Sequence, residues 1–411
     1  MVYLTLSSNK GAFMPVENQQ TVKPSLFLTL LLGTLSAFGP LSLDMYLPAL
    51  PQLQASFHTS SAAVQASISA CLIGMAIGQL IIGPWSDRVG RRKPLLTGLV
   101  VFTLTSAALI FVHNIVVFLV LRVIQGLAGA AGQVLSRAVA RDLFSGHRLT
   151  TFYATLMSIN GIFPVIAPIL GAILVSFFPW ESVFVTLTLV GIGLIVASAF
   201  GLPETATNIG KNVEKLDFKS VFKNGRFMLN ASLLALVYGA LFTYIADSSF
   251  IFQQEYHLST TGFSIIYAVN GLGIALGSKI VGRASEFLNE HQIALVGFLI
   301  PLLGCLVLAL NALTINNLWL FTIALWFVVS SVGFNSTITT AIAMESTTKN
   351  IGTASAILGT LSQLVGGVAS PLVGLFGSQT AFPMIILIAI FEALGLFLLR
   401  FSRSTKADLK S

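Results

Sequence analysis

Residues 61–93 read SAAVQASISACLIGMAIGQLIIGPWSDRVGRRK. The run from 61 to 83 carries no charged side chain, and Asp87 with Arg88, Arg91, Arg92 and Lys93 follows closely behind it. A helix needs roughly 20 apolar residues to cross about 30 Å of hydrocarbon. Short loops rich in Lys and Arg stay on the cytoplasmic side. This stretch therefore predicts one membrane crossing that ends in the cytoplasm.

The same reading extends in both directions. A chain of 411 residues that is 55% hydrophobic and 9% charged, with 35 glycines and a mean hydropathy of +0.88, is too apolar for a soluble globular domain. Its apolar stretches predict twelve membrane helices, at about 25–47, 61–83, 94–112, 115–140, 149–178, 181–202, 229–252, 260–284, 292–313, 316–342, 350–376 and 380–400. All but one of the 22 Lys and Arg residues fall in, or within a turn of, every second gap between these stretches. Both termini are thus expected in the cytoplasm. The net charge of +7 then reflects topology rather than nucleic-acid binding, which would gather the charge on a soluble face. The exception is Arg122, inside the fourth stretch.

Residues 1–24 are polar, and no small-residue cleavage site follows a short apolar core, so the first helix is expected to stay attached. Met14 is an alternative start to Met1. The long hydrophilic segment 203–228 separates an N-terminal six-helix half, 25–202, from a C-terminal one, 229–401, with a cytoplasmic tail at 402–411. Its alternating Lys and apolar residues over 211–226 read as a linker or a short amphipathic helix on the cytoplasmic leaflet. Cys71 and Cys305 have no disulfide or metal spacing and read as small core residues.

The halves echo each other. Gly74, Gly78 and Gly83 match Gly273, Gly277 and Gly282 at an offset of 199, which also carries Asp87 onto Glu286. At an offset of 203, Asn160, Pro164, Ala167, Pro168 and Gly171 meet Gln363, Gly367, Ser370, Pro371 and Gly374, and Asp44 meets Asp247. An all-α membrane fold of two pseudo-symmetric six-helix halves is the plan of a secondary transporter, with its substrate site near the midplane between them.

The segment Gly83 to Lys93 resembles the signature between the second and third helices of the major facilitator superfamily. In the expected gate, Gly90 makes a tight cytoplasmic turn, and Asp87 beside Arg88 and facing Arg141 forms ion pairs that break in another conformation. Arg91, Arg92 and Lys93 read mainly as topology markers. Three further segments resemble the bicyclomycin-resistance (Bcr/CflA) branch of the drug:proton antiporters: PLSLDMYLPALP at 40–51, LRVIQGLAG at 121–129 and APILG at 167–171. The last is a variant of the antiporter motif that retains Pro168 and Gly171, with Pro164 one turn earlier.

An ionisable side chain in hydrocarbon costs about 2.5–3.5 kcal/mol on insertion scales, so each is a functional candidate. Arg122, Gln125, Gly129 and Gln133 share one helical face. Arginine does not deprotonate, so Arg122 is expected to tune a neighbouring carboxylate, with Asp44 as its partner, or to hold a polar network together. The resemblance makes Asp44, after a helix break at Pro40, the first choice for proton carrier; the alternative is a helix-end carboxylate in interfacial water. Asp247 either shares that task or lies exposed at the outer mouth. Glu392 is either a buried, protonated group or a lipid-facing one. Ser36, Tyr46, Tyr238, Tyr244, Asn160, Asn270, Asn335 and Gln363, with Gln125 and Gln133, are candidates for lining the cavity. All five histidines lie in or near gaps, so carboxylates are expected to carry any proton coupling.

The resemblance implies a monomeric, proton-coupled antiporter in a bacterial cytoplasmic membrane that exports small amphipathic drugs. No cofactor beyond the proton motive force and no metal is implied. There is no GxxxxGK[ST] loop for ATP, and no HExxH motif or nucleophile elbow for an enzyme. A transporter of one specific metabolite, or a non-transporting receptor of the same fold, stays open at this point.

Overall fold

The computed structural model describes residues 26–206, 218–347, 351–376 and 380–401. The N-terminal segment, the C-terminal tail, residues 207–217 of the linker and the side chain of His147 lie outside the described residues.

Twelve long helices fall on the twelve apolar stretches: α1 Leu26–Asp44, α2 Ser61–Val89, α3 Arg92–Leu109, α4 Ile115–Leu143, α5 Gly146–Phe177, α6 Glu181–Gly201, α7 Gly225–Phe250, α8 Thr260–Ala284, α9 Glu290–Thr314, α10 Leu318–Glu345, α11 Ile351–Leu375 and α12 Phe382–Leu399. Among the described residues, ten are apolar over a full 18-residue window, whereas α3 opens on Arg92 and Lys93. Phe218–Phe222 adds a short helix in the linker. Asn114, Asn224, Ser259, Asn289 and Asn317 each accept a backbone N–H at the start of a helix, satisfying donors that have no intrahelical partner.

Helix α2 runs six residues past its expected end and stops at Gly90, whose φ of +93° suits glycine alone among unstrained residues. Gly83 therefore lies inside a continuous helix, and a Cβ there would meet nothing within 4 Å. Other glycines are packing devices. A Cβ on Gly74 would lie 2.1 Å from the carbonyl oxygen of Val123, and one on Gly126 2.0 Å from that of Cys71, so α2 and α4 touch backbone to backbone. Gly277 and Gly333 do the same for α8 and α10. In a membrane such close approach supplies van der Waals contact that hydrophobicity cannot.

The packing pattern repeats between the halves. In the first, α4 packs on α1, α2 and α3, α1 on α5, and α3 on α6; in the second, α10 packs on α7, α8 and α9, α7 on α11, and α9 on α12. The halves meet through α2 with α11 and α5 with α8, each contact being the counterpart of the other. One end of the bundle carries the Lys- and Arg-rich loops and the other does not; these are called the basic and neutral ends. Side-chain hydrogen bonds join the halves towards the neutral end: Ser249 to Leu47, Gln253 to Pro48, Gln254 to Gln54, Ser176 with Thr260, Gln65 to Asp247 and Ala246, and Tyr267 to Asp44. Polar contacts between the halves thus close the neutral end.

Candidate functional site

Asp44 is the last residue of α1, which runs unbroken through Pro40; the expected break at Pro40 is absent, since neighbouring helices tolerate a lost backbone bond in a membrane helix. The chain then turns through Leu47–Ala49 into a short helix, Leu50–Ser56, with Pro48 and Pro51 at their first turns. This turn carries Asp44 under the C-terminal half rather than into interfacial water, leaving it 7% exposed. The Tyr267 hydroxyl of α8 donates to Asp44 Oδ1 at 3.2 Å. Tyr267 stacks on Tyr244 with ring centroids 5.7 Å apart, and Asn270 Nδ2 donates to the Tyr244 hydroxyl at 3.0 Å. Asp44, Tyr244 and Asn270 thus belong to one network, joined by a residue not expected from sequence, Tyr267.

Asp247 is fully buried in α7, so its expected alternative as an exposed residue is corrected. Gln65 Nε2 of α2 donates to its Oδ1 at 3.0 Å and to the carbonyl oxygen of Ala246 at 3.2 Å. Each half therefore presents one carboxylate to a donor of the other half.

Arg122 is fully buried in α4. Its Nη1 donates to Gln125 Oε1 at 2.6 Å, with the carbonyl oxygens of Ser42 and Ser67 both at 3.5 Å. The guanidinium lies 4.8 Å from the ring centre of Tyr46 and 5.9 Å from that of Phe184. Tyr46 shares a short hydrogen bond with the Ser67 hydroxyl, and Gln125 Nε2 donates to Ser106 Oγ at 2.8 Å. The expected partnership with Asp44 is corrected: Asp44 bonds Tyr267, and Arg122 takes part in none of the ion pairs found among the described residues. Its partners are neutral dipoles and aromatic faces, the polar-network role that the helix 4 stripe also allowed.

The remaining cavity candidates divide. Ser36 and Asn160 exchange hydrogen bonds between α1 and α5 at 2.7 and 3.1 Å, and Gln79 Nε2 donates to Gln133 Oε1 at 3.0 Å. Gln363 is half-buried in α11. Tyr238 lines a cavity of about 490 Å³ at the basic end, with Ser336, Thr337, Thr340, Ala341 and Met344 of α10. Tyr46, Gln125 and Asn335 line no open space. They are packed in the helix interior, and Asn335 points at α9, where a Cβ on Gly297 would meet its Oδ1 at 1.9 Å. Pro164 and Pro168 lie within continuous α5, and Gly171 admits the carbonyl oxygen of Met45, which a Cβ would meet at 1.9 Å. Glu392 is buried at 1% exposure, facing the bundle rather than lipid.

The basic-end gate is built around Arg91. Arg91 Nη1 pairs with Asp87 Oδ1 at 2.5 Å and its Nε with Asp142 Oδ2 at 2.9 Å, while Nη1 also donates to Ser86 Oγ at 2.9 Å. The pairing expected from Arg141 is corrected: Arg88, Arg92 and Arg141 are exposed and Arg91 is buried. The turn at Gly90 folds Arg91 back over the end of α2, whereas Arg141 points outward from α4. Glu204, beyond α6, accepts the backbone N–H groups of Arg91 at 2.8 Å and Arg92 at 3.1 Å, and Arg92 Nη2 donates to the carbonyl oxygen of Ala199. Partial burial pushes the Glu204 carboxyl up, but the backbone donors of Arg91, Ala206, Arg92 and Thr205 outweigh it and hold it below the ordinary glutamate range. This cap is complete above that range and is lost as pH falls through the lowered value. In the C-terminal half, Glu286 is exposed and the pairing falls to Arg226 with Glu290 and Glu345, at 3.7 and 3.9 Å. Asp142 directly follows Arg141, and Glu204 sits in the Pro-Glu-Thr segment after α6; those were the signals available in sequence.

Arg91→Ala leaves two carboxylates facing each other without their cation. Removing one partner of a buried pair costs about 3–5 kcal/mol, and about 2 kcal/mol is expected here, since the Asp87 side chain is 38% exposed. Thermal unfolding of the purified protein should record the loss, with little change for Arg141→Ala. An equal drop for both would remove Arg91 from the centre of the gate.

The family model of the Major Facilitator Superfamily matches residues 30–371. An uncharacterized MFS-type transporter, YdgK of Bacillus subtilis, is 36% identical over 384 residues, covering 91% of this chain and 95% of the relative. A bicyclomycin resistance protein homolog of Haemophilus influenzae is 29% identical, covering 90% and 93%, and a chloramphenicol resistance protein of Pseudomonas aeruginosa is 26% identical, covering 87% and 86%. Among solved structures, the D-xylose-proton symporter superposes with a TM-score of 0.74 at 15% identity, covering 93% of this chain and 98% of that one. A bacterial homologue of the lysosomal transporter Spinster, inward-facing and occupied, reaches 0.74 at 16%, covering 94% and 99%. The motif resemblance to the bicyclomycin-resistance branch agrees with these relatives, and with twelve helices packed as two corresponding halves the chain belongs to the Major Facilitator Superfamily: it is a multi-pass membrane transporter, not an enzyme.

Proposed function

We propose that this transporter is a proton-coupled antiporter that exports small amphipathic drugs across a bacterial cytoplasmic membrane by alternating access. The observation that carries the proposal is the pair of buried carboxylates at the closed end, Asp44 and Asp247, each hydrogen-bonded across to the opposite half. A carboxylate that must be dry when the halves close and wet when they part changes its proton affinity with conformation. Such a group couples proton binding to the direction the cavity faces.

The basic end is the cytoplasmic end in this reading, and the Tyr238 cavity is where drug enters. Its lining of hydroxyls, one aromatic face and a thioether suits an amphipathic ligand with few charges. Protons then arrive from the neutral, outer end, and each charge crossing 100 mV yields about 2.3 kcal/mol, enough for a tenfold or greater drug gradient. No cofactor is needed beyond the proton motive force, and the working unit is a monomer in the bilayer.

Proteoliposomes holding the purified protein test this directly. An imposed proton gradient should drive drug movement in the opposite direction, and added drug should release protons from the protein. Drug movement that ignores the proton gradient would sink the antiport reading.

A further inference from the structure

We infer that Asp247 and Gln65 form a proton-binding site of the C-terminal half, in which one proton closes an acid–amide pair across the two halves and latches the neutral end shut. The inference rests on the antiport reading for its purpose, though not for its geometry. Asp247 is fully buried, and so is Gln65. Both amide hydrogens of Gln65 are committed to α7, one to Asp247 Oδ1 and one to the Ala246 carbonyl oxygen. Turning the amide over would set its oxygen against the Ala246 carbonyl oxygen, two acceptors face to face, so the observed orientation is the one the partners dictate.

That leaves two acceptors buried without a donor, Asp247 Oδ2 and Gln65 Oε1. An ionised Asp247 would be a buried charge held by one neutral donor, which costs several kcal/mol. A proton on Oδ2 removes the charge and supplies the missing donor for Gln65 Oε1, so that acid and amide exchange two hydrogen bonds. The site is held tightly: a Cβ on Gly374 of α11 would lie 2.0 Å from Gln65 Oε1 and 2.6 Å from Ala62 Cα, so α11 clamps the amide from its other side.

Among the described residues, few other ionisable groups lie near the pair. Between Ile351 and Leu375, α11 has no ionisable residue; α10 has only Glu345 at its far end; α2 has Cys71, with Asp87 and Arg88 at its far end; and α12 has Glu392. Beyond α7, at the end of the turn Ile251–Glu255, Glu255 acts on Asp247 as a like charge, and its Oε2 is also buried without a hydrogen-bond partner. Asp44 is engaged with Tyr267.

The proton arrives from the outer medium while the halves are parted, binds Asp247 Oδ2, and is trapped when α2 closes on α7. Losing it restores the carboxylate, sets Oδ2 against Gln65 Oε1, and releases the latch. Gln65 is therefore a positioning residue that ties the protonation of Asp247 to closure.

The test uses the full chain with Ala62→Cys as a reporter beside the pair, labelled from the neutral end with a membrane-impermeant maleimide. Labelling should rise with pH, corrected for the reagent's own pH dependence with an exposed cysteine elsewhere. Asp247→Asn, whose amide can replace the acid's donor, should stay protected at every pH; Gln65→Leu, which removes both observed hydrogen bonds of the amide and the proposed third, should label at least about tenfold faster than the parent at neutral pH. Infrared spectra supply a second readout: a protonated-carboxyl C=O band should vanish in Asp247→Asn and move to higher frequency in Gln65→Leu. An unchanged band in both variants, or a parental pH profile in Asp247→Asn, overturns the site. Neither readout needs drug transport, so failure of the antiport reading would be seen separately in proteoliposome exchange.

Discussion

Asp44→Asn is expected to reduce proton-driven drug exchange in proteoliposomes on the order of 100-fold, the scale at which a positioned proton-transfer group contributes. The substitution is a clean one. The amide keeps an oxygen where Asp44 Oδ1 accepts from Tyr267, so the link to α8 and the stacked Tyr244 survive, and only the titrating oxygen is lost. Drug binding at the Tyr238 cavity, near the opposite end of the bundle, should be retained, and whatever pH dependence the residual exchange keeps should be that of Asp247. Wild-type rates in Asp44→Asn would remove Asp44 from the coupling and leave Asp247 as the sole carrier. Asp44 differs from Asp247 in one respect that makes it the larger effect: it keeps 7% exposure where Asp247 has none, so it exchanges protons with less movement of the surrounding helices.

How far the sequence foretold this site depends on which partner supplies the contact. The helices were legible because each needs its own unbroken apolar length, a property of one segment alone. So was the contact of Arg122 with Gln125, since residues three apart on a helix must be neighbours, and Asp44 and Asp247 were matched by their common offset. Tyr267 and Gln65 were not legible. Whether they reach Asp44 and Asp247 depends on the depth and rotation of α8 and α2 against helices of the other half, which no local pattern encodes. The gate failed for a similar reason. Its basic run was read as charge, whereas the turn at Gly90 selects one member, Arg91, and folds it against Asp142 of α4.

The exception to the basic pattern leads to the second large effect. Arg122→Met should leave the fold intact, with unfolding within about 3 °C of the parent, while drug exchange falls about 100-fold, as for loss of a coupling group. Taking the guanidinium out of water costs several kcal/mol, and Arg122 has no carboxylate to offset it. Against this stand one good hydrogen bond to Gln125 at 2.6 Å, worth about 1.5–3 kcal/mol for a charged donor, two contacts at the 3.5 Å limit, and the Tyr46 face, worth about 2 kcal/mol when dry. Its Nη2 has no hydrogen-bond partner among the described residues. These terms nearly cancel, so a thioether of similar reach should fill the space at little net cost. A charge that adds so little stability is retained for what it does when α1, α2 and α4 move: the carbonyl oxygens of Ser42 and Ser67 that it touches belong to α1 and α2, the helices that carry Asp44 and Gln65. Arg122→Lys should also lose most of its exchange, because a point charge neither stacks on Tyr46 nor spans both carbonyl oxygens. Unimpaired exchange in Arg122→Met would make the arginine dispensable for coupling, and a large fall in unfolding temperature would instead make it part of the scaffold.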